Sequence, residues 1–252
     1  MAIIPSDNWP LCATILCAGG SGKRMGGLSP KQFEPLGEDG LPPLVTALWA
    51  LAELPMDSVV ITHPAGQRER VEELLAPVPG SARRIFVTGG DTRQASVLNG
   101  LEALPRSTDA VFIHDAARPF ASPELYRTLM ARLLEQPELG GVVPCLAIVD
   151  TVKHHADKLL LGTMPRDGLA LVQTPQLFPF GLILELHRHA AEHGIEVTDD
   201  AALLEERAGD AAKPRVGTVE GAQWNLKITR PADRVIASAL LKGELVARWT
   251  RI

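Results

Sequence analysis

Ala13-Thr14-Ile15-Leu16-Cys17-Ala18-Gly19-Gly20-Ser21-Gly22-Lys23-Arg24-Met25-Gly26-Gly27-Leu28-Ser29-Pro30-Lys31 is the stretch on which the reading of this chain turns. Its first four residues form an apolar run that predicts a buried strand. A glycine-rich loop follows, carrying Lys23, Arg24 and Lys31. Glycines lack the Cβ that would keep backbone N–H groups away from a bulky anion, and the cations put positive charge where a polyphosphate would sit. The pattern predicts a nucleotide-phosphate loop at the exit of a first strand; a tight strand–helix turn would draw on similar residues. Two common phosphate loops do not fit. After Gly20-Ser21-Gly22 the third glycine of the dinucleotide fingerprint is replaced by Met25, and the candidate second strand 58–63 ends without an acidic residue. A P-loop needs Ser or Thr after its Gly-Lys, and Gly22-Lys23 is followed by Arg24.

Working outward, short apolar runs at 12–17, 58–63, 83–88, 109–114 and 140–146 alternate with helical patterns at 44–54, 67–76, 92–104 and 123–135. This alternation predicts an α/β fold: a mostly parallel sheet with helices on both faces, three layers in all, with ligands beyond the carboxyl ends of the strands. In the third helix Ala95, Leu98, Leu101 and Leu104 share a face, and Asp91 is placed to cap the N-terminus. The alternation stops after residue 146. Asp167-Gly168 and its alternating flanks predict a protruding hairpin or arm within 147–176. A second αβ section follows, with helices near 180–193 and 199–207 and strands near 214–219 and 225–229. A final helix is expected from Pro231, where proline suits the first turn. No repeat or linker divides the chain, so residues 1–252 are expected to form one domain.

The composition narrows the function. At 252 residues and 46% hydrophobic content the chain can build a sizeable core, and its net charge of −5 argues against a general nucleic-acid binder. The cations of the first loop therefore stand out against an acidic background. Cys12, Cys17 and Cys145 make an odd number and are expected to be reduced core residues, not a disulfide framework. The opening residues show no secretory pattern, and the apolar stretch 41–56 is too short and too proline-interrupted to span a bilayer. A soluble, cytoplasmic protein without nucleic-acid or membrane partners is expected.

Three further groups of residues stand at predicted strand exits. Gly89-Gly90-Asp91-Thr92-Arg93, with Ser96 in the following helix, allows a flat base or ribose to approach closely beside unpaired helix N–H donors; a helix cap with a flexible lead-in is the alternative. His114-Asp115-Ala116-Ala117-Arg118-Pro119 offers a carboxylate that could hold Mg²⁺ or a sugar hydroxyl, and an arginine able to fork onto an anion. A structural ion pair between Asp115 and Arg118 is the lesser alternative, and His114 is expected to be a packed, satisfied histidine and not a general base. Asn225-Leu226-Lys227-Ile228 places a lysine in an otherwise apolar strand, where an inward charge needs an anion beside it. Asn225 is a further candidate neighbour of a metal. The remaining histidines show no metal-ligand spacing.

Together these pieces resemble the 2-C-methyl-D-erythritol 4-phosphate cytidylyltransferase family of the non-mevalonate isoprenoid pathway. The resemblance rests on Ala18–Met25 with Pro30-Lys31-Gln32, Gly89–Val97, His114–Pro119, Asp150–Lys153, Arg166–Leu169 with Thr174–Gln176, and Lys227–Pro231, in order along the chain. It implies a nucleotidyltransferase that joins CTP and the polyol phosphate with Mg²⁺ or another divalent cation, releasing pyrophosphate. By resemblance Arg24 and Lys31 are catalytic. Ala18, Gly19, Gly20, Gly22, Gly89, Gly90, Asp91 and Ser96 bind the nucleotide. Asp115, Arg118, Arg166, Thr174, Thr198 and Lys227 bind the second substrate, and Asp115 and Asn225 neighbour the metal. A homodimer with crossed arms is implied, Arg166 serving the partner's site. The chain departs from the family pattern at Cys17, Gly19, the turn 37–43 and Pro165. A ribitol 5-phosphate cytidylyltransferase and a catalytically silent nucleotide-binding regulator are the alternative readings.

Overall fold

The computed structural model describes residues 9–19, 31–37, 40–206 and 214–243. Its central sheet is built from the apolar runs the sequence presents. The parallel strands are β1 (Cys12–Cys17), β2 (Ser58–His63), β3 (Arg83–Thr88), β4 (Ala110–Asp115), β5 (Gly141–Ala147) and β10 (Val216–Glu220). β9 (Gln176–Pro179) runs against them, and β8 (Ala170–Val172) pairs antiparallel with β5. The order across the sheet is β10-β5-β9-β4-β1-β2-β3. All six parallel strands therefore end at one edge, and β9 begins there.

Strand alternation sorts the core into two layers. Cys12 and Leu16 of β1, with Ala110 and Phe112 of β4, face the helices α1 (Pro43–Leu51), α2 (Arg68–Leu75) and α4 (Pro123–Glu135). Ala13 and Ile15, with Val111 and Ile113, face α3 (Arg93–Glu102), α5 (Phe180–His193) and α6 (Ala202–Glu206). The expected three-layer α/β/α architecture results. A smaller cluster of Leu36, Phe120, Ile228 and Ala237 ties down α7 (Pro231–Lys242), which starts with proline as expected.

Several expectations need correction. The hairpin does exist, as β6 (Val152–Ala156) paired with β7 (Leu159–Met164) in its own two-stranded sheet. Its turn, however, is Asp157-Lys158, both at positive φ (49° and 66°), while Asp167-Gly168 makes a later turn outside the ladder. Two residues with φ > 0 match the right-handed twist of the flanking strands. The segment 225–229 is not a strand, because its groups bond outside any ladder: Ile228 N–H donates to Ala117 O at 2.8 Å, and Asn225 O accepts from Arg118. The α3 cap is Thr92, whose hydroxyl accepts from Ala95 N–H, and not Asp91. The face α3 buries runs through Val97, Gly100 and Leu101, with Ala95 and Leu98 only half-buried.

Candidate active site

The phosphate loop predicted at residues 20–30, with Gly20, Gly22 and Arg24, lies outside the described residues. Lys31 opens a single 3-10 turn, Lys31–Phe33. The approach to that loop is defined. Ala18 N–H donates to Thr62 Oγ1 (3.1 Å) and its carbonyl accepts from Gln32 Nε2 (2.6 Å), so the exit of β1 is locked to β2 and to the turn behind it. Gly19 and Gly89 approach one another across the exits of β1 and β3. A Cβ on Gly89 would fall 2.8 Å from Ser96 Oγ and 3.3 Å from Gly19 Cα. Ser96 lies buried beneath them, accepting from Gly90 N–H (3.1 Å) and donating to Thr92 O (2.8 Å). Its hydroxyl shapes the double-glycine turn from below. Asp91 is exposed at the same rim.

At the exit of β4, alternation sends His114 and Asp115 to opposite faces. His114 is fully buried against Tyr126 on the α4 side. Its Nε2–H donates to Arg118 O at 3.0 Å, and its Nδ1 accepts from Thr174 Oγ1 at 3.0 Å; Thr174 Oγ1 in turn accepts from Asp115 N–H. A carbonyl can only accept, so this chain fixes the neutral tautomer with the proton on Nε2. Burial pushes the imidazole down to about 4. The expectation of a packed, satisfied histidine is met.

Asp115 points to the α3 side, 6% exposed, between two cations. Its Oδ1 accepts from Arg93 Nε at 2.7 Å and its Oδ2 meets Lys227 Nζ at 2.6 Å. Desolvation opposes ionisation, but Arg93 and Lys227 prevail and hold the carboxyl far below the usual range. The anion that the lysine needs is therefore Asp115, and the suspected Asp115–Arg118 pair is not formed. Arg118 instead donates from Nη1 to Asn225 O at 2.9 Å, and its buried Nε has no partner. An arginine left partly unsatisfied beside a cleft is suited to an incoming anion.

One cleft of about 530 Å³ gathers Asp115, Arg118, Thr174, Thr198 and Lys227. Arg166 stands apart from it on the exposed arm, donating from Nη1 to Val149 O. Six residues of the neighbourhood were given no role by the sequence reading: Arg93, Gln173, Gln176, His187, Asp199 and Asp200. Arg93 also donates from Nη2 to Asp200 Oδ2 at 2.8 Å, and Asp200 Oδ1 accepts from His187 Nε2 at 3.1 Å. Gln173 pins the 222–225 turn through Ala222 and Asn225, and Gln176 holds Asp199 at 2.7 Å. Arg93 did carry a signal: it is the first residue of α3, where the helix dipole disfavours a cation, so an anion had to be near.

Among the described residues no group of three or more His, Cys, Asp or Glu side chains is arranged to hold a metal. The donors the sequence pointed to are the Asp115 carboxylate and the buried, unpartnered Oδ1 of Asn225, with Asp199 and Glu205 elsewhere on the cleft wall. That donor set fits a hard cation arriving with phosphate oxygens of its own, the usual manner of Mg²⁺, and not a metal caged by protein alone.

A family model described as 2-C-methyl-D-erythritol 4-phosphate cytidylyltransferase matches residues 12–243. The chain belongs to the 2-C-methyl-D-erythritol 4-phosphate cytidylyltransferase family. A cytidylyltransferase of that name from Synechocystis sp. is 38% identical over 229 residues, covering 90% of this chain and 95% of its own. A bifunctional enzyme IspD/IspF from Bradyrhizobium sp. is 39% identical over 236 residues, which is 92% of this chain but 57% of that protein. The chain thus spans little more than half the length of the bifunctional relatives it matches. The crystal structure of the Thermus thermophilus cytidylyltransferase superposes with a TM-score of 0.73 at 31% identity, covering 93% of this chain and all of the other. In this cytidylyltransferase family member no helix among the described residues is long and apolar enough to cross a membrane.

Proposed function

We propose that the chain transfers the cytidylyl group of CTP to 2-C-methyl-D-erythritol 4-phosphate, giving 4-diphosphocytidyl-2-C-methyl-D-erythritol and pyrophosphate, in isoprenoid precursor synthesis. The observation that carries this reading is the floor of the cleft. There Arg93, Arg118 and Lys227 line the cleft with Asp115, Asp199 and Glu205, and Asp115 is held between Arg93 and Lys227, so that three cations stand together beyond the strand exits, where a phosphate can meet them.

The chemistry suits such a site. An oxygen of the polyol phosphate attacks the α-phosphorus of CTP; one P–O bond forms, the bond to the β-phosphate oxygen breaks, and pyrophosphate departs. That nucleophile is largely dianionic near neutral pH, its second pKa being about 6, so no general base is required. The neutral, doubly engaged His114 is not one. Bringing two anions together and spreading charge on the α-phosphate makes up the barrier, so positioning and cationic stabilisation dominate.

In this reading Arg24 and Lys31 stabilise the transition state and the departing pyrophosphate. Gly20 and Gly22 cradle the phosphates, and Ala18, Gly19, Gly89, Gly90 and Asp91 hold base and ribose over the turn that Ser96 shapes. Arg118, Thr174, Thr198 and Lys227 receive the polyol phosphate. Asp115 and Asn225 would hold Mg²⁺, which supplies charge neutralisation on the triphosphate when bound. The arm joins two copies into a homodimer and brings Arg166 to the partner's site. Leu159, Leu160 and Leu161 of β7, each at least 65% exposed, support that role, since one strand presents apolar groups on both faces.

Pyrophosphate release from CTP, with methylerythritol phosphate and ribitol 5-phosphate offered separately and ATP, GTP and UTP in parallel, tests the reading. Release is expected with CTP and methylerythritol phosphate. Release with ribitol phosphate alone, or with neither, would overturn it.

A further inference from the structure

We propose that Asp115 has a resident and an exchangeable counter-ion: Arg93 stays on it throughout, while Lys227 leaves it for the phosphate of the incoming substrate. The proposal rests on the preceding reading only in taking that anion to be a phosphomonoester.

The two cations are held very differently. Arg93 is anchored at both ends, Nε on Asp115 Oδ1 and Nη2 on Asp200 Oδ2, and Asp200 is 1% exposed with its second oxygen on His187. A planar guanidinium bridging two buried carboxylates cannot swing away without breaking both contacts. Lys227 has the single contact to Asp115 Oδ2, a side chain 42% exposed, and a place on the irregular segment between β10 and α7. Its ammonium is a point charge on a flexible stem, free to turn. An anion entering the cleft meets the Lys227 and Arg118 side chains together.

Were Lys227 the sole counter-ion, its departure would strand a buried carboxylate, and the lysine would be retained at the expense of substrate. Arg93 removes that conflict. Its contact keeps Oδ1 paired and the carboxylate in place, so Oδ2 is uncovered toward the cleft at the moment the phosphate binds. Arg93 is thus a positioning residue, acting through Asp115 and Lys227. His187 and Asp200 form its anchor in the core between α5 and α6.

The test uses Arg93→Met combined with Asp200→Asn, which removes one buried charge of each sign so that neither is left uncompensated. Circular dichroism and a melting curve check the fold. Inorganic phosphate is titrated against the melting temperature, and KM is measured for each substrate. In the double variant the apparent Kd for phosphate and the KM for the polyol phosphate should rise about tenfold or more, with the KM for CTP within about twofold. Arg93→Lys, which cannot bridge two carboxylates, should fail to rescue. A folded double variant that binds phosphate like the wild type overturns the proposal, as does an equal loss toward CTP, or a wild type that phosphate does not stabilise. A wild type that binds phosphate but does not turn over methylerythritol phosphate sinks the reading of function alone; the phosphate titration still decides this one.

Discussion

His114 and Asp115 are neighbours in sequence with opposite duties, and the alternation of β4 is what separates them. Asp115 enters the cleft charged; His114 enters the core neutral, its two ring nitrogens holding Thr174 and the Arg118 carbonyl in place. The histidine leaves a measurable signature. Its folded value, about 4, lies below the ordinary 6.5, so between those two pH values the unfolded chain takes up a proton that the native ring refuses. The stabilisation is complete above 6.5 and is lost as pH falls through the window, amounting to about 2–3 kcal/mol by pH 4.5. His114→Gln should be less stable than the wild type at pH 7.5, because Thr174 and Arg118 lose their partner, yet its stability should fall less between pH 7.5 and 4.5. Urea unfolding at both pH values measures this. A variant as acid-sensitive as the wild type would mean that the ring is not held neutral.

At the level of elements, what was legible in the sequence follows from how local the cause is. β1, β2, β4 and β5 each sit on a largely apolar run, while β3 opens with Arg83-Arg84; α1, α3 and α4 carry a local cap or a proline at the first turn, as Ser122-Pro123 does for α4, and α2 has neither. β8 and β9 were not read because they are short and polar Gln176 opens β9; they are strands only because β5 and β4 are there to pair with. The segment 225–229 failed for the opposite reason: its composition suits a strand, but its backbone partners are the Arg118 side chain and Ala117. Asp115, Arg118, Thr174, Thr198 and Lys227 could be named from motifs, whereas the Arg93–Asp200 contact joins positions 107 apart that no local pattern links. The hairpin was expected, but its turn was misplaced because Asp157-Lys158 has no glycine to announce positive φ. That arm also carries a prediction of its own. Three consecutive exposed leucines on β7 are an aggregation hazard unless a partner covers them. Leu160→Asp should leave the circular dichroism spectrum unchanged while shifting sedimentation toward a monomer. A dimer undiminished by that charge would exclude the arm from the interface.

At the scale of the whole molecule, Arg166 is the residue that one protomer leaves unused. It sits at the base of the arm, bonded to the Val149 carbonyl and away from the cleft that gathers Asp115, Arg118 and Lys227. If the arms cross, each complete site draws its lysine from one chain and Arg166 from the other, and the two positions can be complemented. Arg166→Met and Lys227→Met should each be nearly inactive as homodimers, since every site in either lacks one cation. Unfolded together and reassembled at equal concentration, the two would pair at random, making about half of the dimers hybrids. Each hybrid holds one site with both cations, Lys227 from the first chain and Arg166 from the second, and one site with neither. About one quarter of wild-type pyrophosphate release should return on mixing, and none before it. Hybrid formation is verified by a purification tag on one variant and its co-elution with the untagged other. No recovered activity in verified hybrids would place Arg166 in its own protomer's chemistry, or in none, and the arm would then serve assembly alone.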